Sequence, residues 1–380
     1  MLFIMQDPSF SIGVEEEYLL VDRRTRKLAS SPPPELFSDC EKALEGRISP
    51  EFLRCQIEVG TPVCSTLAEV RDELSHCRRT IAREAASYGL APIAASTHPF
   101  AEWTDQPHTD KERYNEIARS MQVVAKRMVI CGMHVHIGIE DEAQRIDLFN
   151  QLAYFLPHLL ALSTSSPFWR GHRSGLRSYR LAVFNELPRT GLPPSFESYH
   201  DYRHTVDILC RAGVIEDASK IWWDLRPSER FPTLEMRITD VCPRLDDAIA
   251  IAALFRCLCR MLYRLRRSNQ SWRQYSRFLI AENRWQAQRH GTTARLIDFG
   301  KNEPCAFSDL TEELIELVRP DAEFFGCEAD IEHIRDIAAN GTSAEKQLSL
   351  AEDASDDSEL PRETLNRIVD HLIVETLAGL

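Results

Sequence analysis

The chain has 380 residues, 43% hydrophobic and 27% charged, with 58 acidic against 45 basic side chains and a formal net charge of −13. That is the balance of an ordinary folded protein, long enough for roughly two or three domains or one large α/β enzyme. It excludes global disorder, and its acidity argues against nucleic acid or an anionic membrane as partner, since both repel net negative charge.

The charge is uneven. Residues 301–380 carry 20 acids and 6 bases, whereas residues 1–300 carry 38 and 39. The body is near neutral and the tail is acidic. Met1 to Met5 is apolar but too short, and lacks the basic start, for a signal peptide. No apolar run approaches the roughly 18 residues of a membrane span. The 11 cysteines are odd in number and scattered. Only Cys257 and Cys259 are close, at a spacing that sends them to different faces of a helix. A zinc ribbon or disulfide framework is disfavoured, and a reducing cytoplasm fits best.

In chain order, residues 9–22 read as a strand by their period of two, with Ile12, Val14 and Tyr18 among Glu15 and Glu17. Pro32, Pro33 and Pro34 interrupt the chain. Residues 52–63 read as a second strand. A helix is expected over 66–88, opened by a Thr66–Glu69 capping box, striped by Leu67, Val70, Leu74, Cys77, Ile81 and Ala85, and stopped by Gly89. Residues 90–96 form a short strand, 111–128 a helix, 129–139 a strand and 142–162 a helix. Residues 163–194 read as a long Arg-rich loop, 196–212 as a helix, and 220–225 and 233–241 as strands. From 245 to about 291 the pattern is mostly helical, with an amphipathic Arg-rich stretch at 256–267. The tail has helical patterns, with 352–359 as an exposed loop. The expected class is α+β, a sheet core with helices packed on it, read as a single domain with an acidic, mostly helical part at about 301–380.

Several stretches carry candidate chemistry. In Gly13-Val14-Glu15-Glu16-Glu17, a strand puts Glu15 and Glu17 on one face and Glu16 on the other. Adjacent carboxylates repel unless a cation lies between them, and hard cations favour carboxylate oxygen; a solvated acidic face is the plain alternative. Glu58 stands among apolar neighbours in the second strand, where a strand Glu is ordinarily a solvent-face residue. In Gly132-Met133-His134-Val135-His136-Ile137-Gly138 the two histidines share a face, suiting metal ligation or anion recognition, or simply forming a hydrogen-bonded interior pair. Glu235 and Arg237 also share a strand face, after Arg226 and Arg230 in a turn bounded by Pro227 and Pro232. They pair a carboxylate for metal with guanidinium groups for phosphate, or form a surface ion pair worth little. Residues 174–191 form a polar loop with Arg177, Arg180 and Arg189. There is no glycine-rich phosphate loop and no nucleophile elbow.

Taken together, G-V-E-E-E-Y, E-V-G-T-P, G-M-H-V-H-I-G, L-P-R-T-G-L-P, W-W-D-L-R-P and P-T-L-E-M-R-I-T-D follow in order over residues 13–240, and E-N-R-W-Q-A-Q-R-H-G extends the pattern at 282–291. The set closely resembles the type-2 glutamate–cysteine ligase (carboxylate–amine ligase) family. The resemblance covers about three quarters of the chain. It implies a glutamine synthetase-like catalytic fold, an antiparallel sheet curving over a site for ATP and two or three Mg²⁺. By this resemblance Glu15, Glu17, Glu58, His134 and Glu235 look like metal ligands. Arg237 looks like the contact to the transferring phosphoryl group, Arg226 an ATP-phosphate contact, and His136 and Arg180 substrate-binding residues. The implied reaction activates a carboxylate as an acyl phosphate, which an amine attacks with release of ADP and phosphate. The implied substrates are glutamate and an amine such as cysteine. The expected setting is a cytoplasmic enzyme, by default a homodimer. Two other readings stay open at this level: a metal-dependent hydrolase built on His134 and His136, and a non-catalytic nucleotide- or amino-acid-binding protein of the same fold.

Overall fold

The architecture, given by a computed structural model, is described for residues 7–352 and 359–380. Of the expected exposed loop at 352–359, residues 353–358 lie outside the described residues, as does the apolar start of the chain.

The organising element is β1, Ile12–Asp22, whose buried and half-buried residues alternate through Glu17 before turning fully buried. Along one edge it pairs with β3 (Gln56–Gly60), which in turn pairs with β2 (Ile48–Pro50). Its other edge is shared, with β4 (Leu90–Ile93) on its second half and β5 (Met133–Gly138) on its first. Two further strands complete the sheet, β6 (Leu225–Pro227) and β7 (Thr233–Met236), giving seven strands in the order β6-β7-β5-β1-β3-β2 with β4 beside β1. Every pairing in it is antiparallel.

The α+β class and the antiparallel sheet match expectation, but the curvature does not. The sheet is not curled: its order runs open from β6 to β2, with no pairing between the two ends. Both end strands are only three residues long. Twist and coiling accumulate along strands and across them, and strands this short supply too little of either to fold the sheet over the site.

One face of the sheet is apolar. Val14, Met133, Val135, Ile137, Ile57, Val59, Leu234 and Met236 are buried on it. Against it pack α1, Leu67–Ser87, and α2, Leu245–Arg267. The helix α1 starts at the expected capping box: Glu69 N donates to Thr66 Oγ1 at 3.2 Å and Thr66 N to a Glu69 carboxylate oxygen at 3.1 Å. Each such cap is worth about 1 kcal/mol.

Glu16 points into this apolar face. It is fully buried and paired with the equally buried Arg78 of α1, whose Nε and Nη2 donate to its two oxygens at 3.0 and 2.6 Å. Tyr18 donates its hydroxyl to the same carboxylate. Arg78 also donates to the carbonyls of Cys242, Pro243 and Thr376.

The acidic tail forms the helices Phe307–Phe325, Glu328–Asn340 and Arg362–Thr376. It uses its carboxylates on basic groups of the body. Asp321, with no exposed surface, takes Arg260 and Arg264; Asp330 takes Arg71; Asp370 takes Arg26; Glu345 takes Arg177. Among the described residues no helix is long and apolar enough to cross a membrane.

Candidate active site

The other face of the sheet carries the candidate chemistry, and its register explains the alternation read in the sequence. Glu17 stands opposite Glu58, Glu15 opposite His134, His136 opposite Glu235, and Glu235 opposite Arg226. Side chains at alternate positions on five neighbouring strands therefore point into one space. All nine residues to which the resemblance gives a role line a single cavity of about 480 Å³.

Within it the acids and histidines sort into two groups. Glu15, His136 and Glu235 each present a ligand atom within 4.8 Å of the others, and so do Glu17, Glu51 and Glu58. His134 lies between them. Its Nδ1 is 3.1 Å from a Glu15 oxygen and 3.3 Å from Arg237 Nη1, and its Nε2 is 3.9 Å from a Glu17 oxygen. The Nε2 atoms of His134 and His136 are both buried without a hydrogen-bond partner, although buried polar atoms ordinarily have one.

The electrostatics differ between the two groups. Burial, then the neighbouring Glu51, pushes the Glu17 carboxyl up to about 7, even though the Gly132 amide donates to it at 2.7 Å. Burial and the charges of Glu51, Glu15 and Glu17 push Glu58 well above the usual carboxylate range. Burial also opposes the charges on Glu15 and Glu235. The imidazoles of His134 and His136 nevertheless hold Glu15 far below its ordinary value, and Arg237, Arg226 and His136 do the same for Glu235. Burial and the charge of Arg237 lower His134 to about 4, which leaves it neutral with a lone pair to offer. Three carboxylates in mutual reach and two orphaned imidazole nitrogens are a donor set for hard cations: Glu17, Glu51 and Glu58 suit one ion, and Glu15, His136 and Glu235 another.

The arginines are ordered by their partners. Arg237 donates to Glu235. Arg226 grips both oxygens of Glu235, at 2.8 and 3.1 Å, and donates through Nη1 to the carbonyls of Ser219 and Ile221. Arg180 is 2% exposed and donates to the carbonyls of Arg237 and Ile238. Its guanidinium lies over Gly132, where an added Cβ would stand 2.3 Å from Nη2; any other residue there would displace it. Of the arginines in the stretch 163–194 only Arg180 lines the cavity; Arg177 is bound to Glu345 and Arg189 to the carbonyl of Lys220.

A model of the Glutamate-cysteine ligase family 2 (GCS2) matches residues 11–371, nearly the whole chain and every residue of the site. The chain belongs to glutamate-cysteine ligase family 2. Relatives are similar over their full lengths. A Rhodospirillum rubrum protein named "Putative glutamate--cysteine ligase 2" is 59% identical over 380 residues, covering 99% of this chain and 98% of that one. A Jannaschia sp. protein of the same name is 53% identical over 367 residues, covering 97% of each. Among solved structures, the glutamate–cysteine ligase of Francisella tularensis in complex with AMP superposes with a TM-score of 0.70 at 13% identity, covering 98% of this chain and 90% of that one. A bifunctional glutathione synthetase from Pasteurella multocida gives 0.68 at 14%, covering 97% of this chain and 53% of that one. These likenesses show that the chain shares its fold with those two proteins.

Within this glutamate-cysteine ligase family 2 site, sequence reasoning missed Glu51, Lys111, Arg113 and Tyr114, all of which line the cavity. Glu51 follows β2 directly, so no strand alternation marks it. Lys111, Arg113 and Tyr114 begin a helix, Glu112–Met121, with no buried residue to betray a face. Tyr114 anchors that helix by donating its hydroxyl to the Pro50 carbonyl at 2.9 Å.

Proposed function

We propose that this family member is an ATP-dependent carboxylate–amine ligase that joins the γ-carboxylate of glutamate to the amine of cysteine through an acyl phosphate. One observation carries the reading. Six potential ligands from four strands, Glu15, Glu17, Glu58, His134, His136 and Glu235, converge with Arg237 on one sheet face and, with Glu51, form two groups whose donor atoms lie close enough to share a cation.

Glu17, Glu51 and Glu58 would hold one Mg²⁺ and Glu15, His136 and Glu235 another, with His134 between them completing either set. Bound there, the ions neutralise charge on the oxygens of a transferring phosphoryl group. The protein's own part is orientation. Arg226 fixes both oxygens of Glu235, so that carboxylate presents one geometry. Arg237, anchored on Glu235 and backed by Arg180 through its carbonyl, extends a cation toward the same space. It is the residue proposed to meet the phosphoryl oxygens, where preorganised charge counts most. Lys111, Arg113 and Arg180 give the cavity cations for amino-acid carboxylates. Residues 301–380 are proposed to belong to the same catalytic unit, since their acids neutralise the body's arginines.

The test is ADP release. Mixing the protein with Mg²⁺, ATP, glutamate and cysteine should yield ADP and phosphate in step with product, and none without Mg²⁺. Absence of ADP with every acid and amine pair in a screen would overturn the ligase reading.

A further inference from the structure

The strand that carries Glu235 puts one more polar side chain on the ligand-bearing face. Side chains alternate along β7, so Thr233 points to the same face as Glu235. In the register Glu235 stands opposite His136 and Thr233 opposite Gly138, which makes Thr233 the diagonal neighbour of His136. Its Oγ1 lies 3.0 Å from His136 Nδ1. Thr233 does not line the polar cavity, whereas His136 and Glu235 do. Its link to that space runs through the imidazole.

Two contacts fix this ring. Thr233 holds Nδ1, and Phe231 stands edge-on to it, with ring centroids 6.2 Å apart. The other nitrogen, Nε2, is thereby turned toward Glu15, 3.6 Å from a carboxylate oxygen, and is buried without a hydrogen-bond partner. An imidazole takes a cation through a bare nitrogen, and the hydrogen bond made by the opposite nitrogen decides which one is bare. His134 has no neutral holder of this kind, for its Nδ1 meets the charged Glu15 and Arg237. A threonine suits the task in two ways. Its hydroxyl is uncharged, so it adds nothing to the charge of Glu15 and Glu235 and does not favour the imidazolium, which has no lone pair to give. Its β-branched side chain is stiff at χ1, so the strand itself sets where the oxygen lies.

We propose that Thr233 is a positioning residue: its hydroxyl accepts the His136 Nδ1–H and so presents the Nε2 lone pair to the divalent cation shared with Glu15 and Glu235. The assignment rests on the ligase reading above and deepens it, since it names the side chain that turns His136 into a fixed member of the donor set. The neutral ring keeps its one proton on Nδ1 while Nε2 is engaged. Loss of such a supporting hydrogen bond costs about 10- to 100-fold in metal affinity.

The experiment titrates Mn²⁺, without nucleotide, into the full chain and into Thr233→Val and Thr233→Ser, and reads the nitrogen NMR resonances of His136 in the Mg²⁺-saturated wild type. Valine keeps the branched shape and deletes the hydroxyl; serine restores the hydroxyl. Thermal unfolding checks that both variants fold. One class of Mn²⁺ site is expected to weaken roughly tenfold to a hundredfold in Thr233→Val while the other stays within about twofold, with most of the loss recovered in Thr233→Ser. The His136 proton is expected on Nδ1. If Thr233→Val binds Mn²⁺ as wild type does, or wild-type His136 carries its proton on Nε2, this assignment falls while the ligase reading stands. If both classes weaken together, or serine recovers nothing, the substitution disturbs the sheet rather than one ring, and the assignment likewise falls. If wild type binds no Mn²⁺, the ligase reading falls and takes this one with it.

Discussion

Glu235 is 2% exposed, yet its charge is held by two guanidinium groups, Arg226 and Arg237, and an imidazole. A buried charge so closely held is costly to remove singly, because its partners are left uncompensated. Glu235→Gln keeps the shape and most of the hydrogen bonding but deletes the charge. Turnover is expected to fall by at least about a hundredfold, as for loss of a preorganised electrostatic group, with the far-ultraviolet circular dichroism unchanged. Steady-state ADP release measures it, and activity near wild type would remove Glu235 from the site. The alternation of Glu15 with Glu17 and of His134 with His136 was open to reading in the sequence, because a strand's period of two is local and needs no knowledge of the fold. Glu51 was not, because it reaches the cavity only through the pairing of β2 with β3.

At the scale of elements, local signals served well wherever the structure they encode is also local. The helix expected over 66–88 is observed as Leu67–Ser87, starting at the anticipated cap. Misreadings cluster where packing decides. The prolines at 32–34 read as an interruption, whereas Pro34 opens a helix, Pro34–Leu44, at the first-turn position where its missing N–H costs nothing. The helix expected over 111–128 breaks at Gln122, whose φ of 47° lies in the left-handed region. The one expected over 142–162 divides into Glu142–Leu152 and Leu156–Ser163, the second with Pro157 in its first turn. The curvature of the sheet depends on the length of its end strands, and the resemblance said nothing of that. Glu16 belongs to this scale too. It joins β1 to α1 through Arg78, and the triple-glutamate stretch gives its face but not its partner. Removing that partner in Arg78→Met strands a buried carboxylate, with an expected cost of about 3–5 kcal/mol. Urea unfolding of the single variant and of Arg78→Met with Glu16→Gln should show the double variant recovering part of the loss; equal stability of wild type and single variant would refute the role.

For the molecule as a whole, the uneven charge of the sequence becomes a fastening. His333, in the tail helix Glu328–Asn340, meets Asp247 of α2 at 2.8 Å, with Asp246 and Asp336 also acting on it. The hydrogen bond to Asp247 raises the pKa of His333 above its ordinary 6.5, although burial opposes this. A raised value means that the folded state holds the proton more tightly than the unfolded one. The stabilisation is therefore full below the unfolded value and disappears as pH rises through the folded one. In His333→Gln the stability lost between pH 6 and pH 9 should shrink by up to about 1 kcal/mol, the size of a partly exposed pair. Denaturant midpoints at the two pH values report it, and an unchanged difference would show that the imidazole contributes nothing.

The bond from Arg78 to the Thr376 carbonyl spans 298 residues. The guanidinium beneath β1 thus ties the strand of Glu15 and Glu17 to the last helix of the chain, Arg362–Thr376. A protease cut in that distant tail is therefore expected to loosen the strand bearing Glu15 and Glu17 without coming near either.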